Sequence, residues 1–516
     1  MSNLPWLTLL GLIPLVGALV VAFLPSAEAA KKTALGVSLV ALAVGIGAAT
    51  QFQIGSSEQF QLVEQHSWIP QFGVSYALGV DGIALTLILL ALILTPICLL
   101  AAWNDLDGEQ LAEEGRGSRR VQTYFALMLL LVTFMVGVFA ATDVFLFYVF
   151  FEAMLIPVYF LVGSFGGGAR RKAAALKFLI FGLVGGLIML VAVIGLYFVG
   201  PGGSEGFLIS SLTGLDIDPH VEKWLFVGFF IAFAIKAPMW PVHTWLPDTA
   251  QAARPATSVL LVGVLDKVGT YGMIRFCLQL FPEASQWATP VVITLAIISV
   301  VYGAILAIAQ SDFLRLIAFT SVSHFGLIIL GIFAMTTTAG SGAALYMINH
   351  GFSTAALFLI VAMLIYRNHG RQRIEDFGGW QRVTPGIAGV FLVAGMAALS
   401  LPGLSTFVSE FLVFIGTYQR FPAAALLALP GVVLAAVYIL WMYKRSMTGP
   451  APVLEREVPD MNLREKIVVG PLIAALILLG VFPKVALDYL NPAVEQTLIH
   501  VGVEDPVPSQ ATGGER

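Results

Sequence analysis

The sequence predicts an all-α polytopic membrane protein, and three observations carry that prediction. Of its 516 residues, 58% are hydrophobic and only 11% charged, where a soluble domain carries about 25% charge. Mean hydropathy is correspondingly high, at +0.89. Apolar runs of about 20 residues, the length a helix needs to cross a bilayer, recur along the whole chain. Lys and Arg gather in alternate links between those runs.

Fourteen such runs stand at residues 4–24, 33–51, 82–103, 121–141, 143–163, 174–199, 224–246, 254–280, 288–309, 316–335, 341–366, 386–417, 425–446 and 466–486. The first is followed by small residues, "PSAEAAKK", but Lys31 and Lys32 come after the apolar run rather than before it. That order argues for a retained span, not a cleaved signal. Of the 27 Lys and Arg, nineteen fall in the odd-numbered links. The even links and the tail hold Lys223, Arg420, Lys484 and Arg516, and four more lie inside spans: Lys177, Lys236, Lys267 and Arg275. This asymmetry makes the odd links cytoplasmic and directs both termini outward, as expected of a multi-pass protein of the cell inner (plasma) membrane.

The link 52–81 has no Lys or Arg, and alternating pieces such as "FGVSYALGV" predict a short outer hairpin. The tail from Asn491 reads as partly disordered. Cys98 and Cys277 sit in apolar runs, without a CxxC or Cys/His cluster, so they read as buried and inert. Metal sites and phosphate-binding loops have no support, and the net charge of −4 does not point to nucleic acid. The glycines at 166–168 fit a basic inner turn better than a phosphate site.

Ionisable residues at membrane depth are the informative feature. Each costs about 2.5–3.5 kcal/mol at a helix centre on insertion scales. Glu152, Lys236, Lys267 and His324 stand near the middle of spans, His350 slightly off centre, and Glu410 about two turns past Pro402. A single buried charge is often a pin between two helices, and a lone histidine is as often an interhelical donor as a relay. Six on six spans exceed what pinning requires, and a series of titratable groups is how a proton path is built. Asp81 and Asp143, at span ends, read as caps. Asp248 and His243 lie near the inner end of the seventh span, with a weaker case for function. Arg275 reads as snorkelling to the outer interface.

Helix breaks supply the second half of the argument. In "AIKAPMWPVHTWLPDTA", Pro238 and Pro241 remove backbone donors just after Lys236. Freed carbonyls at this depth persist only where protein or water satisfies them, so a wet cavity is expected beside Lys236. Pro402 and Gly403 interrupt the twelfth span before Glu410. Two broken spans five helices apart predict two inverted five-helix repeats, spans 4–8 and 9–13, a mark of transporters. The expected units are residues 1–120 (three spans and the hairpin), 121–285 and 286–446 (the repeats), and 447–516 (last span and tail).

The stretches "FFEAMLIPVYFLVG", "KAPMWPVHTWLPDTAQAARPATSVLL", "LDKVGTYGMIR", "SVSHFGLIILG" and "LPGLSTFVSEF" resemble the antiporter-like subunits of the proton-pumping NADH–quinone oxidoreductase, respiratory complex I. The resemblance covers nearly the whole chain. Within the family the chain is most similar to the M-type subunits, because Glu410 stands where sister subunits usually carry lysine and the chain ends soon after the fourteenth run. The resemblance implies that Glu152 pairs with Lys236, that Lys267 connects, that His324 and His350 belong to a central hydrophilic axis, and that Glu410 is the terminal exchange residue. It implies no cofactor in this chain, with FMN, iron–sulfur clusters and quinone in partner subunits, and the sister subunits L and N as neighbours. A subunit of a multi-subunit Na+/H+ antiporter or membrane-bound hydrogenase remains the alternative reading. A structural anchor without transport is the reading from another class.

Overall fold

The computed structural model describes residues 4–106, 119–452 and 458–506. Among them, eleven helices are long and apolar enough to cross a membrane, or twelve when the bent pair Leu463–Val481 and Lys484–Val501 counts as one span. The helices coincide with the apolar runs, since only a helix satisfies every backbone group of one segment in hydrocarbon. The two other runs, the seventh and the twelfth, are split. The seventh is Pro219–Lys236 followed, after an irregular turn, by Trp245–Ala252. The twelfth is Pro385–Ala398 and Ser405–Arg420. Neither half of either meets the same criterion of length and apolarity.

Local sequence sets the helix starts. Proline occupies the first helical turn at Pro219, Pro255, Pro282, Pro385 and Pro422, where its missing N–H costs nothing. Asp81, Asp143 and Asp312 cap helices by accepting from the N–H of Ala84, Leu146 and Arg315, at 2.8, 2.9 and 3.0 Å. Asp143 also accepts from Ser75 N–H at 2.9 Å, tying strand to helix.

The hairpin is present as β1, Gln61–Ile69, antiparallel to β2, Val74–Val80. Its Glu64 carboxylate accepts from Leu7 N–H at 2.7 Å and Thr8 N–H at 3.2 Å, at the positive end of the first helix. Thr142 N–H donates to Ala77 O at 2.9 Å, so the hairpin is also stitched to the turn before Val144.

Two turns share one hydrogen-bond pattern. Val144 N–H donates to Phe207 O and Ile209 N–H to Thr142 O; Phe313 N–H donates to Gln372 O and Ile374 N–H to Ser311 O. Each pair flanks a capping aspartate, Asp143 or Asp312, that bridges a later loop.

The core sits in three helices. Pro255–Leu278 and Phe313–Phe333 are buried throughout and Thr337–Arg367 nearly so, whereas Trp6–Phe23, Ala27–Gln51 and Arg171–Val199 expose broad apolar faces. The sequence predicts an uninterrupted span over 254–280, but Pro255–Leu278 is not a regular helix. It is π-helical over Leu261–Leu265 and again over Met273–Leu278. The two cysteines are buried, as expected.

The end of the chain differs from the expectation. Asn491–Val501 is not disordered but belongs to the helix Lys484–Val501, which turns 67° from its predecessor. Leu490, Val494 and Leu498, at helical spacing, are buried against the bundle and hold it there. Residues 507–516 of the tail, and Arg116 and Arg456 of the basic links, lie outside the described residues.

A latch joins the last span to the core. Arg367 meets Glu465 in a bidentate pair at 2.7 and 2.8 Å and donates to the carbonyls of Pro459 and Asp460. Both side chains are buried. Arg367→Ala is expected to lower stability by about 3–5 kcal/mol, because it strands a buried carboxylate. Thermal unfolding in detergent checks this, and adding Glu465→Leu should recover most of the loss.

Candidate functional site

The site begins where the first break begins. Lys236 is the last residue of Pro219–Lys236, and only 2% of it is exposed. Its Nζ lies 4.6 Å from the centre of the Phe151 ring and 5.9 Å from that of Phe178, and it has no hydrogen-bond partner. Cation–π attraction is thus its nearest compensation. At the break, Trp245 Nε1–H donates to the freed Ile235 carbonyl at 2.9 Å. Trp240 N–H in the turn donates to Ser299 Oγ at 2.8 Å.

Glu152, on the helix Val144–Gly163, is half-buried and makes no ion pair with Lys236, although their charges act on each other. Its carboxylate lies against Gly186, where a Cβ would overlap it. Asp266 is the other carboxylate whose charge reaches Lys236. It is wholly buried, and neither of its oxygens has a hydrogen-bond partner.

Lys267 starts the second cluster. The π-helical turn before it frees carbonyls, and Nζ of Lys267 donates to one of them, Val262 O, at 2.5 Å. The same Nζ lies 2.8 Å from His350 Nδ1. His350 Nε2 lies 3.2 Å from Ser321 Oγ, and its ring centre is 5.3 Å from that of His324. His324 Nε2 lies 3.4 Å from the Tyr438 hydroxyl. Beyond it, the charge of Glu410 acts on Tyr346 and Tyr438, and Ser400 lies beside both Tyr346 and Glu410. Glu410 is 6% exposed.

The second break is tied differently. Its Ala397 carbonyl accepts from Ser400 N–H at 2.9 Å and from the Thr406 hydroxyl. Ser400, at φ +62°, and Gly403, at φ +94°, turn the chain through left-handed backbone. Only Gly adopts that conformation without cost, so the Ser400 turn is strained.

The six residues singled out by sequence therefore fall into two groups: Glu152 with Lys236, and Lys267, His350 and His324 leading to Glu410. Sequence reasoning gave no role to Asp266, Tyr346, Tyr438 or Ser400. Tyr346 carried a signal, since it lies one turn before His350 on the same helix face. Arg275 reaches the 52–81 link but is covered there: 1% exposed, it lies 4.9 Å from the Phe60 ring centre, is ion-paired with Asp81 and is bonded to Gln279 at 2.8 Å. Asp81 is thus both a cap and a counter-ion. Asp248 is clamped between Lys177 at 2.7 Å and Arg315 at 2.5 Å. His243 is buried, with its ring centre 5.2 Å from that of Tyr302. Among the described residues, no group of three or more His, Cys, Asp or Glu could hold a metal ion.

Residues 141–436 match the family model described as NADH:quinone oxidoreductase/Mrp antiporter, TM. NADH-quinone oxidoreductase subunit M of Mycobacterium tuberculosis (strain ATCC 25618 / H37Rv) is 51% identical, over 99% of this chain and 97% of that protein. The subunit M of Rhodobacter capsulatus is 37% identical over 100% of both. Among solved structures, a chain of respiratory complex I from Thermus thermophilus with bound NADH superposes with a TM-score of 0.85 at 30% identity, covering 96% of this chain and 100% of that one. A chain of the Mrp complex from Dietzia sp. DQ12-45-1b gives 0.84 at 23% identity, covering 97% and 100%, a likeness of fold alone. The chain belongs to the NADH:quinone oxidoreductase/Mrp antiporter family of transmembrane subunits, on the branch that holds the subunit M chains.

Proposed function

We propose that this chain is a proton-translocating membrane-arm subunit of an NADH–quinone oxidoreductase, moving protons through buried Glu, Lys and His groups while redox chemistry proceeds in other subunits. The observation that carries this reading is the succession of titratable side chains through the most buried helices, with Lys267 and His350 in direct contact at 2.8 Å. A pin between helices would need one such pair and not the groups on either side of it.

In this reading Glu152 and Lys236 form one exchanging pair, and Lys267, His350 and His324 form the connection toward Glu410. Lys236 has no fixed hydrogen bond to break before it gives up a proton. A lysine whose carboxylate partner approaches and retreats loads and unloads in turn. Tyr438, with its hydroxyl 3.4 Å from His324 Nε2, and Tyr346, with its ring centre 5.8 Å from that of His324, extend the series toward Glu410. Each proton works against about 2.3 kcal/mol per 100 mV, so the path must be gated. The two broken helices, each ending beside a site residue, are the elements that switch it.

Fourteen spans, with the broken helices completing the count, and inverted repeats over 121–285 and 286–446 belong to this reading. The matching hydrogen-bond pattern around Asp143 and Asp312 supports the repeat. Both termini outward in the cell inner membrane, sister subunits L and N as neighbours, and FMN, iron–sulfur clusters and quinone in partner chains complete the proposal.

Lys236→Ala and Glu152→Ala in the assembled complex should each cut the number of protons pumped per electron sharply. An unaltered ratio at a normal electron rate in Lys236→Ala overturns the reading. Glu410→Lys, which keeps a protonatable group, should pump better than Glu410→Ala; the reverse order in vesicle acidification assays would make Glu410 structural. Gly186→Ala puts a Cβ into the Glu152 carboxylate and should lower pumping toward the Glu152→Ala level without removing any charge.

A further inference from the structure

The two groups of site residues leave a gap between Lys236 and Lys267, and Asp266 stands in it. Neighbours on a helix point about 100° apart. Lys267 turns toward Val262 O and His350. Asp266 shares the other face with Gly269, three residues on. A Cβ at Gly269 would meet Phe233 O at 2.5 Å and Ala237 N at 2.6 Å. That contact is where this helix touches the broken end of Pro219–Lys236, with Ala237 next to Lys236. Asp266 therefore faces the first lysine while its neighbour faces the second chain of groups. Its charge acts on both Lys267 and Lys236.

The surroundings of Asp266 are unlike those of a structural carboxylate. Asp81, Asp143 and Asp312 cap helices, Asp248 is held by two cations, and Glu465 by a guanidinium. Each of these has donors or cations that hold its oxygens in place. Asp266 is fully buried with both oxygens free of protein donors, and it makes no ion pair with either lysine. A buried anion without donors is costly, and a carboxylate that needs no charge to hold its place is free to change protonation.

We propose that Asp266 is a proton carrier between Lys236 and Lys267, joining the two halves of the path. The Lys236 ammonium gives its proton to the Asp266 carboxylate, leaving a neutral amine and a carboxylic acid. The acid rotates, or acts through one intervening water, and gives that proton to the neutral Lys267 amine. Asp266 returns to carboxylate and Lys267 becomes the ammonium that faces His350. Two adjacent cations are thus never required in the same dry interior. This inference rests on the proton-translocating reading above.

The test uses the intact complex in membrane vesicles, with protons pumped per electron and redox-induced infrared difference spectra after 13C-aspartate labelling. Asp266→Asn is expected to lower the pumping ratio to the level of Lys236→Ala and to abolish a labelled carboxylic-acid C=O band. Asp266→Glu is expected to restore pumping and to replace that band by an unlabelled one at a shifted frequency. A full ratio in Asp266→Asn overturns the inference. So does the absence of any carboxylic-acid band from Asp266, which would make it a fixed counter-ion. Should Asp266→Asn not assemble, the band in the parent and its replacement in Asp266→Glu decide alone. Lys236→Ala separates the two failures: full pumping there removes the proton-translocating reading itself, whereas loss there with full pumping in Asp266→Asn removes only this inference.

Discussion

A carbonyl freed inside a membrane must be given a donor, and this chain meets that demand with side chains close to the site. Ile235 O takes Trp245 Nε1–H and Val262 O takes Lys267 Nζ, while Ala397 O takes the Thr406 hydroxyl beside the Ser400 N–H. The break after Lys236, the turn before Lys267 and the break before Glu410 are thus each tied by a group within two turns of a titratable residue. The irregular backbone and the buried charges are one construction. Straighten the helix before Lys267, and its Nζ loses the oxygen that holds it near His350.

The same constraint explains why the charges lie in the innermost helices. Asp266, Lys267, His324 and His350 belong to segments with almost no surface facing outward. Hydrocarbon offers an ion nothing, so the ion sits where other helices surround it. Aromatic rings finish the enclosure: Phe151 and Phe178 face Lys236, and Phe325 lies 5.1 Å from Lys267. Rings soften the cost of the cation without supplying a counter-charge that would lock it.

Two different kinds of buried ion result. Arg275 with Asp81 and Arg367 with Glu465 are paired, multiply bonded and fixed. Lys236, Glu152 and Asp266 have no such partners. The fixed pairs hold the Pro255–Leu278 and Thr337–Arg367 helices at their ends, and the unpaired groups lie between those ends. Rigidity is placed where the helices terminate, and electrostatic freedom where they cross.

Much of this was legible in the residues alone. Membrane spans follow from apolar length, helix starts from Pro and Asp, and both breaks from Pro238, Pro241 and Pro402, because these depend on the solvent and on local backbone geometry. The six deep ionisable residues stood out because hydrocarbon penalises them wherever they point. Direction and partnership were not legible. Arg275 was expected at an interface; that Asp81, nearly two hundred residues away, meets it there as a buried counter-ion left no mark in the sequence. The π-helical turns around Lys267 had no counterpart in the sequence reading. Asp266 gained meaning only when Gly269 brought its face against the end of Pro219–Lys236. Sequence alone determined which groups are expensive to bury; only the tertiary structure decided which of them meet, because contacts between distant helices depend on shape at their crossings and leave no local trace.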